Sequence, residues 1–142
     1  MNTVEVLTDD IDEPPWRAKL EAFAGRVLEE LALEGWDLSV LLCSNRVIRD
    51  LNRKYRGKDE PTDVLSFSQI AGAGNVALNG ADPGFLSAFG VESADDAGEA
   101  ESVAGDIVIS LDAVTENSVY FDVPENEELQ RLLIHGILHL AG

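Results

Sequence analysis

The sequence predicts one small domain in which about four short strands form a single mixed sheet packed with four or five helices. Three observations predict it. The chain has 142 residues, 45% hydrophobic and 26% charged, within the range of one compact domain. Short β-prone runs alternate with stretches in which apolar residues recur every three or four positions. Pro14, Pro15, Gly35, Gly57, Pro61 and Pro124 punctuate the intervals. A chain of this length buries roughly two-thirds of the surface its unfolded form exposes, so it can build a core without disulfides.

Val4 to Thr8 opens with a half-buried strand pattern, Val4, Val6 and Thr8 on one side and Glu5 and Leu7 on the other. After the acidic turn Asp9 to Glu13, Pro14 and Pro15 suit the start of a helix whose apolar stripe runs from Trp16 to about Leu33. Gly35 breaks that helix, and Trp36 to Cys43 is apolar enough for a central strand. Ser44 or Asn45 can cap a helix from Arg46 to about Tyr55, which buries Val47, Ile48, Leu51 and Tyr55 and stops at Gly57. A third strand follows at Asp63 to Ser68. Gln69 to Ala104 has six Gly, six acids and no Lys or Arg, and reads as a long, partly mobile loop with a short helix near Phe85 to Phe89. Gly105 to Ser110 is the fourth strand, and Leu111 to Tyr120 a helix. Asp122 and Glu125 have capping-box spacing, with Pro124 in the first turn of a last helix running to Leu140.

The formal charge is -17, which repels nucleic acid and anionic membranes over most of the surface. Six of the ten basic residues nevertheless stand within thirteen positions, at Arg46, Arg49, Arg53, Lys54, Arg56 and Lys58, opposed there only by Asp50. That segment is net +5 against -22 elsewhere, so it is where a phosphate backbone would be attracted. The alternative is a solvated helix face. Cys43 is the one cysteine, which excludes an intramolecular disulfide and points to the cytoplasm. No apolar run approaches the roughly 18 to 20 residues of a membrane span, and the N-terminal stretch lacks the basic and apolar regions of an export signal.

His135 and His139 stand four residues apart on the last helix, so both imidazoles leave one face a turn apart, a spacing that suits zinc. Two ligands are fewer than zinc takes, and helix histidines also meet without a metal. Zincins carry a Glu general base after the first histidine, where this chain has Gly136, so a metalloprotease would lack its base. Cys43 could act as a nucleophile with a histidine base or be a small buried hydrophobe. Asp63 and Asp106 could orient the imidazoles or serve turns and caps.

Three stretches, Leu51 to Phe67 (LNRKYRGKDEPTDVLSF), Gly105 to Ser110 (GDIVIS) and His135 to Gly142 (HGILHLAG), together resemble the YbeY family of bacterial rRNA-maturation endoribonucleases. The resemblance implies an α+β fold similar to the zincin-like metal hydrolases. It also implies a single-strand-specific, metal-dependent endoribonuclease that acts in maturation of small-subunit ribosomal RNA and in ribosome quality control. The family motif H-G-x-L-H-L-x-G-Y-D-H places zinc on three histidines. His135 and His139 match the first two, and the third ligand would lie three residues past Gly142, so the single domain of residues 1–142 is expected to stop short of it.

Arg56 matches an arginine linked to activity in the family, and its guanidinium suits a scissile phosphate. Arg53, Lys54 and Lys58 would then track the backbone of the RNA. The partners implied are single-stranded RNA, ribosomal RNA and the small ribosomal subunit, with neither membrane nor DNA. The competing readings are a ribosome-associated RNA-binding module without catalysis and a metal-dependent hydrolase of another substrate. The nuclease reading expects the basic ridge and the histidine pair to share one cleft.

Overall fold

The computed structural model describes residues 1–70 and 103–142. Eight elements follow in order: β1 (Thr3–Asp9), α1 (Arg17–Glu30), β2 (Trp36–Cys43), α2 (Asn45–Arg56), β3 (Val64–Ile70), β4 (Val103–Ser110), α3 (Leu111–Phe121) and α4 (Glu125–Ala141). The strands form one sheet in the order β1-β2-β4-β3. β1 with β2 and β2 with β4 are parallel, whereas β3 runs antiparallel to β4. The fold is α+β with a mixed four-stranded sheet, as the sequence predicts. No helix among the described residues is long and apolar enough to cross a membrane.

Alternation along the strands splits the core in two. Leu38, Val40 and Leu42 of β2 and Ile107 and Ile109 of β4 face a larger cluster completed by Leu20, Ala24 and Leu28 of α1 and Leu129, Leu132, Leu133 and Ile137 of α4. Leu41, Cys43, Val108, Leu65 and Phe67 face the other way and pack with Ile48 and Tyr55 of α2. β2 and β4 are therefore covered on both faces, which explains their continuous apolar sequence. Helices α1 and α4 lie on one face and α2 on the other.

Local chemistry sets the boundaries. Ser44 caps α2 by accepting from the Val47 N–H at 3.4 Å, and Gly57 at φ 72° ends it in the left-handed conformation that glycine adopts without strain. α1 stops at Glu30, before the expected Leu33, because Ala32 turns to φ 59°. β3 and β4 extend past their expected ends to the pair Ile70↔Val103. Backbone pairing there continues beyond the side-chain pattern from which strands are read. Residues 71–102, which hold the rest of the expected loop and the Phe85–Phe89 helix, lie outside the described residues.

The capping box at Asp122 does not form. Asp122 adopts φ 57° and ends α3, and α4 begins after Pro124 with no side-chain cap. Asp tolerates the left-handed region, so it serves the stop of one helix instead of the start of the next. Glu125, Glu127 and Glu128 instead place three acids in the first turn of α4, against the positive end of its dipole.

Helix α4 can lie on β4 because both surfaces are thinned by glycine. A Cβ on Gly136 would stand 2.9 Å from Ile107 Cδ1 and 3.0 Å from its Cγ2. A Cβ on Gly105 would stand 2.7 Å from Leu140 Cδ1. Ile107 is fully buried and has nowhere to move. Gly136→Ala should therefore cost about 1–3 kcal/mol despite alanine's better helix propensity. Urea unfolding should show a lower midpoint with an unchanged slope, and an unchanged midpoint would mean that α4 stands further from the sheet.

Candidate active site

The buried stripe of α4 consists of Leu129, Leu132, Leu133, Gly136 and Ile137. His135 and His139 sit beside this stripe and are exposed. Glu128 and Arg131 share their flank, since positions 131, 135 and 139 recur every four residues. A hydrogen-bonded chain shows which way the flank faces. Asn117 Nδ2 donates to Glu128 Oε2 at 2.8 Å and lies 3.3 Å from Asp63 Oδ2, just before β3. The histidine flank thus borders the β3 side of the sheet.

β3 supplies the floor. Because Leu65 and Phe67 point to the α2 cluster and Val64 packs on the α4 cluster, Ser66 and Ser68 also point to the α4 face. Ser66 pairs with Ile107, the residue under Gly136. The Asp63 carbonyl accepts from the Ser110 N–H at 3.1 Å, so it points inward to the neighbouring strand. Alternation then turns the Ser66 carbonyl outward, on the side of β3 away from β4.

Arg56 reaches that edge from the opposite face. Its Nη2 donates to the Ser66 carbonyl at 2.8 Å, and its guanidinium carbon lies 5.3 Å from the centre of the Phe67 ring. Phe67 is in turn held edge-to-face by Tyr55, with ring centres 5.8 Å apart. The last residue of α2 is thus held at Ser66 of β3, a strand against which α4 also packs.

The basic ridge as a whole does not join them, which corrects the single-cleft expectation. Burying Ile48 and Tyr55 against the sheet turns the remaining cations of α2 outward on the far face. Three are also neutralised locally: Arg46 pairs with Asp10 at 3.2 Å, Arg49 with Asp59 at 3.0 Å and Arg53 with Asp50 at 3.3 Å. Lys54 places its ammonium 5.4 Å from the Tyr55 ring, and Lys58 is exposed beyond Gly57. Arg53, Lys54 and Lys58 stand within a turn of Arg56.

Two other candidates are displaced by the strand alternation. Asp106 is buried and points to the α2 face, so it does not orient the histidines. Cys43 lies in the α2 cluster, and burial, reinforced by Asp9, Asp112 and Asp10, pushes its thiol up to about 12. A thiol so disfavoured as thiolate, across the sheet from both imidazoles, is a core residue and not a nucleophile. Asp63 does border the histidine flank, but through Asn117 and without a bond to either imidazole.

A model of the family "Endoribonuclease YbeY" matches residues 3–142. The chain belongs to this family. It is 45% identical over 134 residues to the endoribonuclease YbeY of Treponema denticola, covering 92% of this chain and 74% of that protein. It is 42% identical over 142 residues to that of Treponema pallidum, covering the whole chain and 76% of the relative. The fold resembles the solution structure of TM1509 from Thermotoga maritima, with a TM-score of 0.54 and 27% identity over 98% of this chain and 72% of the other.

The family's expected metal needs at least three ligands. His135 and His139 fit as two nitrogen donors a turn apart and open to solvent, but no group of three potential ligands occurs among the described residues.

The network beside the histidines was not legible from spacing motifs. Glu128 is 2% exposed, and Arg131 grips it with Nε at 2.9 Å and Nη2 at 2.7 Å. The Arg131 bonds, helped by Asn117 and opposed by burial, hold the Glu128 carboxyl below its ordinary range. A depressed carboxyl stabilises the fold fully above its unfolded pKa of about 4.3 and loses that contribution as pH falls through the lower folded value. Glu128→Gln should cost about 1–3 kcal/mol near neutral pH. The gap to the parent in urea unfolding should narrow as pH drops from about 7 to about 3.5, and a pH-independent gap would remove the ion pair as its source.

Proposed function

We propose that the chain is a single-strand-specific endoribonuclease of ribosomal RNA maturation that cuts at the β3 edge, in the cytoplasm and on the small ribosomal subunit, with a part in ribosome quality control. The observation that supports this is the tethering of Arg56 at Ser66 of β3, the strand whose other face carries the histidine-bearing helix α4. A guanidinium already tethered by the Ser66 carbonyl and the Phe67 ring loses little freedom when it grips a phosphate, and its fork matches two phosphate oxygens.

In this reading Arg56 binds the scissile phosphate and offsets the charge that builds on it in the transition state. Lys54 and Lys58, around the end of α2, raise the positive potential on the approach, and Arg53 can exchange Asp50 for a phosphate. An unpaired strand can bend its phosphate onto an exposed sheet edge, which an A-form duplex resists. His135 and His139 would hold a zinc ion, with the third ligand outside the described residues. Bound zinc would polarise a phosphoryl oxygen or lower the pKa of water. Gly136 leaves the zincin base position without a carboxylate, so the nucleophile is water or the substrate's own 2′-hydroxyl, with the proton taken by another group.

The second reading is an RNA-binding module on the ribosome that does not cleave. One experiment separates them. With zinc supplied, the protein should cleave single-stranded RNA, and Arg56→Ala should lower kcat/KM by about 10²–10³-fold without altering the fold. His135→Ala should weaken zinc binding measured by calorimetry. Unchanged cleavage by Arg56→Ala removes it from the mechanism, and RNA binding that survives chelation with no cleavage at any metal concentration supports the module.

A further inference from the structure

Three consecutive apolar side chains stand in solvent at the C-terminal end of α3. Val119 is 77% exposed, Tyr120 81% and Phe121 54%. The helix buries Ala113, Val114 and Ser118, so these three are not needed for its packing. The two rings meet edge-to-face with centres 4.9 Å apart. Their backbone is held firmly, since the Asp122 N–H donates to the Val119 carbonyl at 3.3 Å and the Val123 N–H to the Ser118 carbonyl at 3.0 Å.

The rings are continuous with the candidate site. The Arg131 guanidinium carbon lies 6.0 Å from the Phe121 ring centre, while Glu128 grips its Nε and Nη2. The Arg131 side chain still keeps 56% of its exposure. His135 follows one turn further, about 6 Å along the helix axis. A strand bound along the histidine flank of α4 would pass Arg131, which lies against the Phe121 ring.

We propose that Tyr120 and Phe121, backed by Arg131, form a stacking platform for an unpaired base of single-stranded RNA next to the cleavage site. The proposal rests on the nuclease reading above and adds a subsite to it. Asp122, Glu125 and Glu127 are exposed on the neighbouring turn and repel phosphates, so the contact must draw on ring stacking and on the Arg131 guanidinium beside Phe121. Three apolar side chains alone are few against the roughly 20–30 residues that a stable protein interface uses on each side. One base needs only an exposed ring face, and a guanidinium beside it strengthens the contact.

The test measures the affinity of the full chain for a non-cleavable 2′-O-methyl single-stranded RNA by fluorescence anisotropy across a salt series. Tyr120→Ala with Phe121→Ala should weaken binding about 5- to 50-fold. The dependence of log Kd on log salt should stay that of the parent, since no phosphate contact is lost. Tyr120→Trp should bind at least as well as the parent. Removing the base from the stacked nucleotide should weaken parent binding equally and add nothing to the alanine variants. Unchanged affinity in the alanine variants, with cleavage and its Arg56 dependence intact, overturns the platform and leaves the nuclease reading standing. A parent chain that neither binds nor cuts single-stranded RNA overturns both. Alanine variants that lose binding to a basic polypeptide but keep it to RNA assign the rings to a protein and also overturn the platform.

Discussion

Helix α4 lies so close to β4 that each element gives up side chains where they meet. Gly136 of the helix sits on Ile107 of the strand, and Gly105 of the strand sits under Leu140 of the helix. These two contacts set the depth and rotation of α4. Rotation decides which residues face the core and so turns His135 and His139 towards β3. Were α4 turned by a fraction of a helical step, the histidine flank would turn away from the Asp63–Asn117–Glu128 network that borders it. Gly136 therefore has a structural role of its own: a Cβ there would stand 2.9 Å from Ile107 Cδ1, so a larger side chain must displace its neighbour.

The edge strand gathers the rest. An outer strand leaves outward backbone groups unpaired, which in most sheets invites other chains. In β3 the outward carbonyl of Ser66 is taken by Arg56. One interaction thus blunts a sheet edge and fixes a cation where a phosphate can reach it. On the α4 side, the Asp63–Asn117–Glu128–Arg131 network joins the start of β3, α3 and the first turns of α4, and so braces the histidine flank against the sheet. The same network holds Arg131 beside Phe121, linking the candidate site to the exposed rings.

Much of this was legible in the sequence where local chemistry decides. Ser44 and Gly57 mark both ends of α2, the apolar run at Trp36–Cys43 reads as a strand covered on both sides, and the spacing of His135 and His139 puts both on one helical flank. Face assignment was not legible. Whether α2 and α4 share a face of the sheet depends on how the connections cross it, and periodicity within a helix carries no such information. The basic ridge therefore read as one cluster, although its partners Asp10 and Asp59 neutralise Arg46 and Arg49 through contacts that spacing along one helix does not reveal. Asp122 misled because the same side chain suits a helix start and a left-handed stop. The Glu128 network escaped because three of its four members come from α3 and α4 and its fourth from the start of β3.

The arrangement stands or falls on a footprint. Backbone amide resonances followed during titration with a non-cleavable single-stranded RNA map where the strand lies. If the β3 edge is the site, shifts should appear together at Arg56, at Ser66 and Ser68, and along α4 at His135 and His139. Shifts confined to Arg46, Arg49 and Arg53 on the outer face of α2, with the β3 edge silent, would contradict it.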